Sequence, residues 1–268
     1  MESINNNINI SNNNINQNDI LNDMIEIDGS ILEGGGQILR ISLALSILID
    51  KNIIISNIRS KRSNPGLQNQ HMYTSKAVAD IFNYNIDNCI LNSTKIVLKK
   101  KQDNAIKSYN TNISNKYIID LNGAGSIGLV VQQFLPILLI IKENLYINEG
   151  INLKIKGGTL VSYSPSSYYL NDVLFPLFEK FYNTDILLNI IKPGLYPVGG
   201  GSSELIINKG VYKYNSINIE NKGELKAIIL RVIATDNINL NVLEKKVKTL
   251  AKDIHKLLKN NSSKIKFN

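Results

Sequence analysis

The sequence predicts an α+β protein built from a repeated unit. Three observations carry this. Short isoleucine-rich runs of strand character alternate with longer runs of helical period. Two glycine-rich turns, Gly29 to Gly36 and Asn122 to Ser126, each separate a strand-like run from a helix-like one. The order strand, glycine turn, helix, strand, loop, helix, strands is met twice between Ile25 and Ile207.

Residues 1–22 are Asn, Ile and Ser in low-complexity order and read as a disordered tail. Ile25 to Asp28 reads as a short strand. Gln37 to Leu48 then places Ile38, Ile41, Leu45 and Leu48 at helical spacing. Asn52 to Ile58 is strand-like, and Asn64-Pro65-Gly66 breaks the chain. Leu67 to Phe82 reads as an amphipathic helix with Leu67, His71, Thr74, Val78 and Phe82 near one face. Ile90 to Leu98 alternates as a strand does, and Lys99 to Lys116 reads as a polar loop with an edge strand.

The second round follows the same order. Tyr117 to Leu121 is a strand and Ile127 to Ile141 an apolar helix. Asn152 to Lys156 is a strand, Ser167 to Phe181 a helix, and Thr184 to Ile191 and Ser203 to Ile207 are strands. After Gly210 the texture changes. Lys226 to Thr235 reads as a strand and Val242 to Leu258 as a Lys-rich amphipathic helix. The expected organisation is a tail over 1–22, a repeat-built domain over 23–209, and the start of a smaller α/β domain over 210–268.

Composition narrows the setting. At 268 residues and 43% hydrophobic content the chain can bury a core of its own. Cys89 is the single cysteine, so no intrachain disulfide forms, which fits a reducing compartment. No secretory leader is read at the N-terminus. The longest apolar run, Leu129 to Ile141, is interrupted by Gln132, Gln133 and Pro136, so no membrane span is expected. The net charge of +8 reads either as compositional drift toward Lys or as fitness for a polyanion. Only four of the 30 basic residues are Arg, and Arg40, Arg59 and Arg62 share one short stretch. Arg in a Lys-favouring chain points to its planar fork, which suits phosphate and carboxylate.

Five segments stand out. Glu33-Gly-Gly-Gly36-Gln37 opens a helix. It reads as a structural turn, or as an anion site where backbone N–H groups meet a ligand, with Glu33 able to bind Mg²⁺. Gln37 and Arg40 lie three apart and are expected on one face. Arg59 to His71 carries Arg59 and Arg62 on a loop and Gln70 and His71 at a helix start. Taken alone, His71 reads first as a histidine packed along the apolar stripe, and second as a site residue. The others are Gly123-Ala-Gly125-Ser126 with Gln132, Lys156-Gly-Gly-Thr159 through Pro165, and Pro193-Gly-Leu-Tyr196-Pro-Val-Gly-Gly-Gly201. No zinc-ligand spacing and no Walker A motif is present.

Taken together, the ordered set EGGGQILR, RSKRSNPGLQNQH, GAGS with its downstream Gln, KGGT and GLYPVGGG resembles the RNA 3′-terminal phosphate cyclase family. The likeness runs from about Ile25 to Ile207 and is faint beyond Gly210. It implies units of two helices on a four-stranded sheet, three of them in the family, with a smaller domain inserted before the third. It also implies ligase-class chemistry. An RNA 3′-phosphate is converted to a 2′,3′-cyclic phosphodiester using ATP and Mg²⁺ or Mn²⁺, through enzyme-AMP and RNA-adenylate intermediates.

The resemblance also assigns residues. Glu33 is implied as metal ligand or ATP-site carboxylate. Arg40, Arg59 and Arg62 are implied as phosphate holders, with Gln37, Gln70 and His71 in the same site. Gln132 and Pro165 are implied as nucleotide contacts. The family's AMP-bearing histidine belongs to the third unit, which this sequence does not contain. No catalytic residue is therefore expected here, His255 is not expected to replace it, and the chain alone is expected to be inactive and poorly stable, with an uncovered sheet surface. The implied partners are RNA 3′ ends and ATP, in the nucleus or else the cytoplasm. The alternative is the family's non-catalytic branch, an RNA-binding protein of ribosome assembly. The retained EGGGQILR and Gln70-His71 favour cyclase ancestry.

Overall fold

A computed structural model describes residues 24–101, 117–144, 150–208, 216–221, 223–234 and 238–261. The expected tail and most of the polar loop before Tyr117 lie outside them. The described chain falls into two compact units, residues 1–216 and 217–268.

The first unit holds two copies of one βαβαββ motif. In the first copy β1 (Met24–Asp28), α1 (Gly36–Ile49), β2 (Asn52–Ser56), α2 (Asn69–Ile81), β3 (Tyr84–Asp87) and β4 (Ile96–Lys100) follow in order. In the second, β5 (Tyr117–Asp120), α3 (Ile127–Asn144) and β6 (Ile151–Gly157) come first. Next is α4, one helix in three stretches: Ser167–Tyr169, a π-helical turn Leu170–Leu174, and Phe175–Tyr182. β7 (Ile186–Lys192) and β8 (Gly201–Ile207) complete it. Each copy makes its own sheet, β1-β2-β4-β3 and β5-β6-β8-β7, with a parallel first pair and antiparallel partners beyond. The repeat inferred from the order of elements is thus real at the level of strand pairing.

Alternation explains the packing. Along β6, Ile151, Leu153 and Ile155 are buried, while Lys154 and Lys156 face solvent. α1 and α3 pack on each other, and α1 on α2. Phe82, just past α2, meets Phe134 of α3 with ring centroids 6.1 Å apart, so one core spans both copies. α3 is buried on most of its surface; Gln132, Pro136 and Ile140 are its exposed positions through Ile141. Leu170 to Leu174 widens α4 by a π turn, and there the Asn171 amide both donates to the Leu188 carbonyl (2.7 Å) and accepts from the Leu188 amide (2.9 Å).

Two expectations fail. The strand expected over Ile90 to Leu98 begins only at Ile96; residues 88–95 form a turn, and the unexpected β3 supplies the partner. Ile90 and Leu91 are exposed there, so their alternation reflected composition and not a buried face. Between 226 and 234 the described backbone forms no strand. Apolar propensity without a neighbouring strand does not make a sheet. The second unit's regular element is α5 (Leu240–Asn261), and none of its described residues is buried.

Candidate anion-binding loop cluster

In each copy the three connecting loops gather at one end of the sheet. In the first copy, Gly29 N–H donates to the Ser56 carbonyl (2.7 Å), Ile58 N–H to Thr94 (2.9 Å) and Leu67 N–H to Ser93 (3.0 Å). The Asp28 carboxylate ties two loops together. It accepts from the Ser30 amide (2.9 Å), the Ser30 hydroxyl (2.9 Å) and Asn57 Nδ2 (3.1 Å). The bonds to Ser30 do most to hold it below the usual carboxylate range.

The glycine run then lets side chains crowd the backbone. Gly36, the first residue of α1, rests against His71 Nε2 so closely that a Cβ there would collide. A guanidinium nitrogen of Arg40 lies on the same glycine, and Arg62 and Glu33 flank Gly35. His71 completes a reciprocal cap at the start of α2. The Gln68 side chain accepts from the His71 amide, and His71 Nδ1 accepts from the Gln68 amide (3.2 Å). Burial first, then the charges of Arg59 and Arg40, push the imidazole down to about 4. His71 is therefore neutral near pH 7, with Nδ1 accepting and the remaining proton on Nε2, toward Gly36.

The arginines divide their work. Arg40 is buried, only 9% exposed, and its Nε has no partner. Desolvation lowers its pKa. A buried cation left this way is costly and suits an incoming anion. Arg62 meets Glu33 at 3.0 Å in a largely exposed pair that an anion or a cation can open. Arg59 differs: it donates to the carbonyls of Asn64 (2.7 Å) and Gly66 (2.8 Å) and so shapes the loop. Lys61 likewise donates to the Leu32 carbonyl (3.0 Å).

Glu33, Arg40, Arg62 and His71 thus converge on the glycine loop, with Arg59 near enough to His71 for its charge to act on the imidazole. The structure corrects one detail and gives the others their place. Gln37 and Arg40 do not share surroundings. Gln37 is exposed and lines a cleft of about 330 Å³ with Ile31, Leu32, Glu33, Gly35, Ile38, Ile41 and Ser42, while Arg40 turns inward. Gln70 Oε1 accepts from the Ser126 amide (2.9 Å) and links the two copies, while its Nε2 is buried and has no partner among the described residues. Gln132 and Pro165 stand on the second copy. The Pro165 carbonyl rests on Gly128 of α3, one helical turn before the exposed Gln132. Asp28 was missed; a carboxylate ending a short strand has no sequence signal beyond the Asp-Gly-Ser turn that follows it. No group of three or more His, Cys, Asp or Glu suited to a metal is present among the described residues.

Fold and site together define a repeat-built α+β protein with a glycine loop flanked by Arg40 and Arg62. A model of the family RNA 3′-terminal phosphate cyclase matches residues 31–263. The curated RNA 3′-terminal phosphate cyclase of Saccharolobus islandicus strain L.S.2.15 is 36% identical over 234 residues, 87% of this chain and 64% of the relative. Those of Ignicoccus hospitalis (41% over 182 residues, 68% and 47%) and Caldivirga maquilingensis (40% over 206 residues, 76% and 53%) are similar too. The chain belongs to the RNA 3′-terminal phosphate cyclase family. It spans less than two thirds of these relatives' length. The match runs through α5, further than the motifs reach by eye.

Proposed function

We propose that the protein takes part in ATP-dependent cyclisation of RNA 3′-phosphate ends, its described residues binding ATP and RNA phosphates while carrying no AMP themselves. The observation that carries this is the unpartnered Nε of buried Arg40 beside neutral His71 on the Gly34–Gly36 loop. Arg40 and Arg62 would hold nucleotide phosphates, the loop's backbone N–H groups would add to them, and Arg59 would keep the loop in shape. His71 would donate from Nε2 as an uncharged partner. A single exposed carboxylate, Glu33, fits Mg²⁺ or Mn²⁺, because such ions take their other ligands from water and phosphate. The ion would supply charge neutralisation at the phosphates. Gln132 and Pro165 would meet the nucleotide from the second copy.

Neither histidine is given the nucleophile's part. His71 has Nδ1 bonded and its proton on Nε2, so neither nitrogen offers a free lone pair, and His255 stands on the Lys-rich helix α5. The test is ATP binding by calorimetry, with α-labelled ATP and Mg²⁺ followed on a denaturing gel. Binding that Arg40→Leu weakens at least tenfold, with no label surviving denaturation, is expected. Wild-type protein that binds no ATP would sink the proposal, and label lost only in His71→Asn would overturn the assignment of His71.

A further inference from the structure

The loop end of the second copy carries a different chemistry from the first. Its three loops, residues 121–126, 158–166 and 193–200, hold no arginine. They carry two exposed tyrosines instead: Tyr163 is 104% and Tyr196 77% exposed. Both loops are firmly built. Thr159 N–H donates to the Gly194 carbonyl (2.8 Å), Gly194 N–H donates to Thr159 Oγ1 (3.0 Å), and Leu160 and Leu195 form a parallel bridge. Tyr196 follows that bridge directly and Tyr163 lies three residues beyond it. Gly199 N–H closes the turn under Tyr196 by donating to Leu195 (2.7 Å). Tyr163 sits at φ +58°, a conformation that costs a non-glycine residue and holds only where the surroundings fix it.

Cations stand at the base of these loops. Lys156 and Lys192 both pair with Ser202, so they flank it on one rung and one face of the sheet. Lys192 leads straight into the Tyr196 loop, and Lys156 into the Tyr163 loop. Lys156 also leans toward Asp120 at 3.6 Å. The Tyr163 loop ends at Pro165, seated on Gly128 of α3.

From this arrangement we infer that Tyr163 and Tyr196 form a stacking platform for bases of single-stranded RNA beside the reacting end. Lys156 and Lys192 would attend the phosphates. The inference rests on the proposed function and adds to it the surface that grips the polynucleotide. Aromatic faces on preformed loops, with basic residues at their base, are what sequence-tolerant strand binding requires. Within this chain the repeat divides the labour: the first copy's loops take phosphate, and the second copy's loops take bases.

The test uses the full chain and a 3′-phosphorylated oligoribonucleotide of about ten nucleotides. A phosphodiester of equal length without bases is the control, and affinity is read by fluorescence anisotropy. Tyr163→Ala and Tyr196→Ala should each weaken RNA binding roughly tenfold, and the Phe variants should not. Affinity for the base-free strand and for ATP should be unchanged, as should the melting temperature. RNA affinity equal to wild type in the double Ala variant overturns the platform and leaves the cyclase reading standing. A change in sedimentation without a change in RNA affinity overturns it too, making the face a protein contact. RNA binding through the tyrosines without ATP binding supports the platform and sinks the cyclase reading. A wild-type chain that binds no RNA sinks both.

Discussion

Arg40 sets stability against binding. Its guanidinium is buried and, among the described residues, its Nε has no partner, so the folded chain carries a desolvated charge that a bound anion would offset. Replacing it with Leu should raise the unfolding free energy by ~1–2 kcal/mol while weakening ATP binding at least tenfold. Thermal melts with and without ATP check this, and a lowered melting point in the ligand-free variant would contradict it. His71 gives a pH signature. Its folded pKa of about 4 lies below the usual 6.5, so the unfolded chain binds more protons between those values. The stability His71 contributes is complete above about pH 6.5 and is lost as pH falls toward 4. With only two histidines, proton NMR on His255→Asn should show no titration of His71 between pH 5.5 and 8. The sequence brought Arg40, Arg62, Glu33 and His71 to notice because arginine is rare here and glycine runs are informative. It could not show that Arg59 and Gln70 also make structural contacts. Their partners are the carbonyls of Asn64 and Gly66 and the amide of Ser126, which any residue type would present.

At the scale of elements, the loops depend on close backbone crossings. Gly199 is the sharpest case: it sits at φ +74°, and a Cβ there would strike the Gly123 carbonyl. Gly199→Ala should therefore lower the unfolding free energy by about 1–3 kcal/mol. A urea midpoint equal to wild type would show that the two loops can part at no cost. Helices and central strands were legible because burial of one face imposes a period, as in α1 and β6. β3 was not, because Tyr84-Asn85-Ile86-Asp87 is short and mixed and takes its place only through pairing with β4. The same dependence on a partner explains why 226–234 does not form the strand its isoleucines suggest.

For the molecule as a whole, one open apolar surface is on a helix. The outer side of α1 exposes Ile41, Leu45 and Ile49, and Ile31 and Leu32 stand exposed on the loop before it. The second sheet's outward face is mixed, with Lys154, Lys156 and Glu204 beside exposed Ile118 and Leu187. A contiguous apolar row promotes association. Ile41→Lys with Leu45→Lys should raise the concentration at which the chain stays monodisperse in light scattering, with little change in melting temperature. Aggregation at the same concentration would place the cause elsewhere. The Asn171 bridge has a related consequence at the rim of the second sheet. β7 is its last strand, and the Leu188 amide and carbonyl would otherwise be open to a strand from another molecule. The π turn in α4 brings a side-chain amide that imitates a neighbouring peptide and fills that position. One asparagine thus acts as a stopper against fibre-like growth along the sheet.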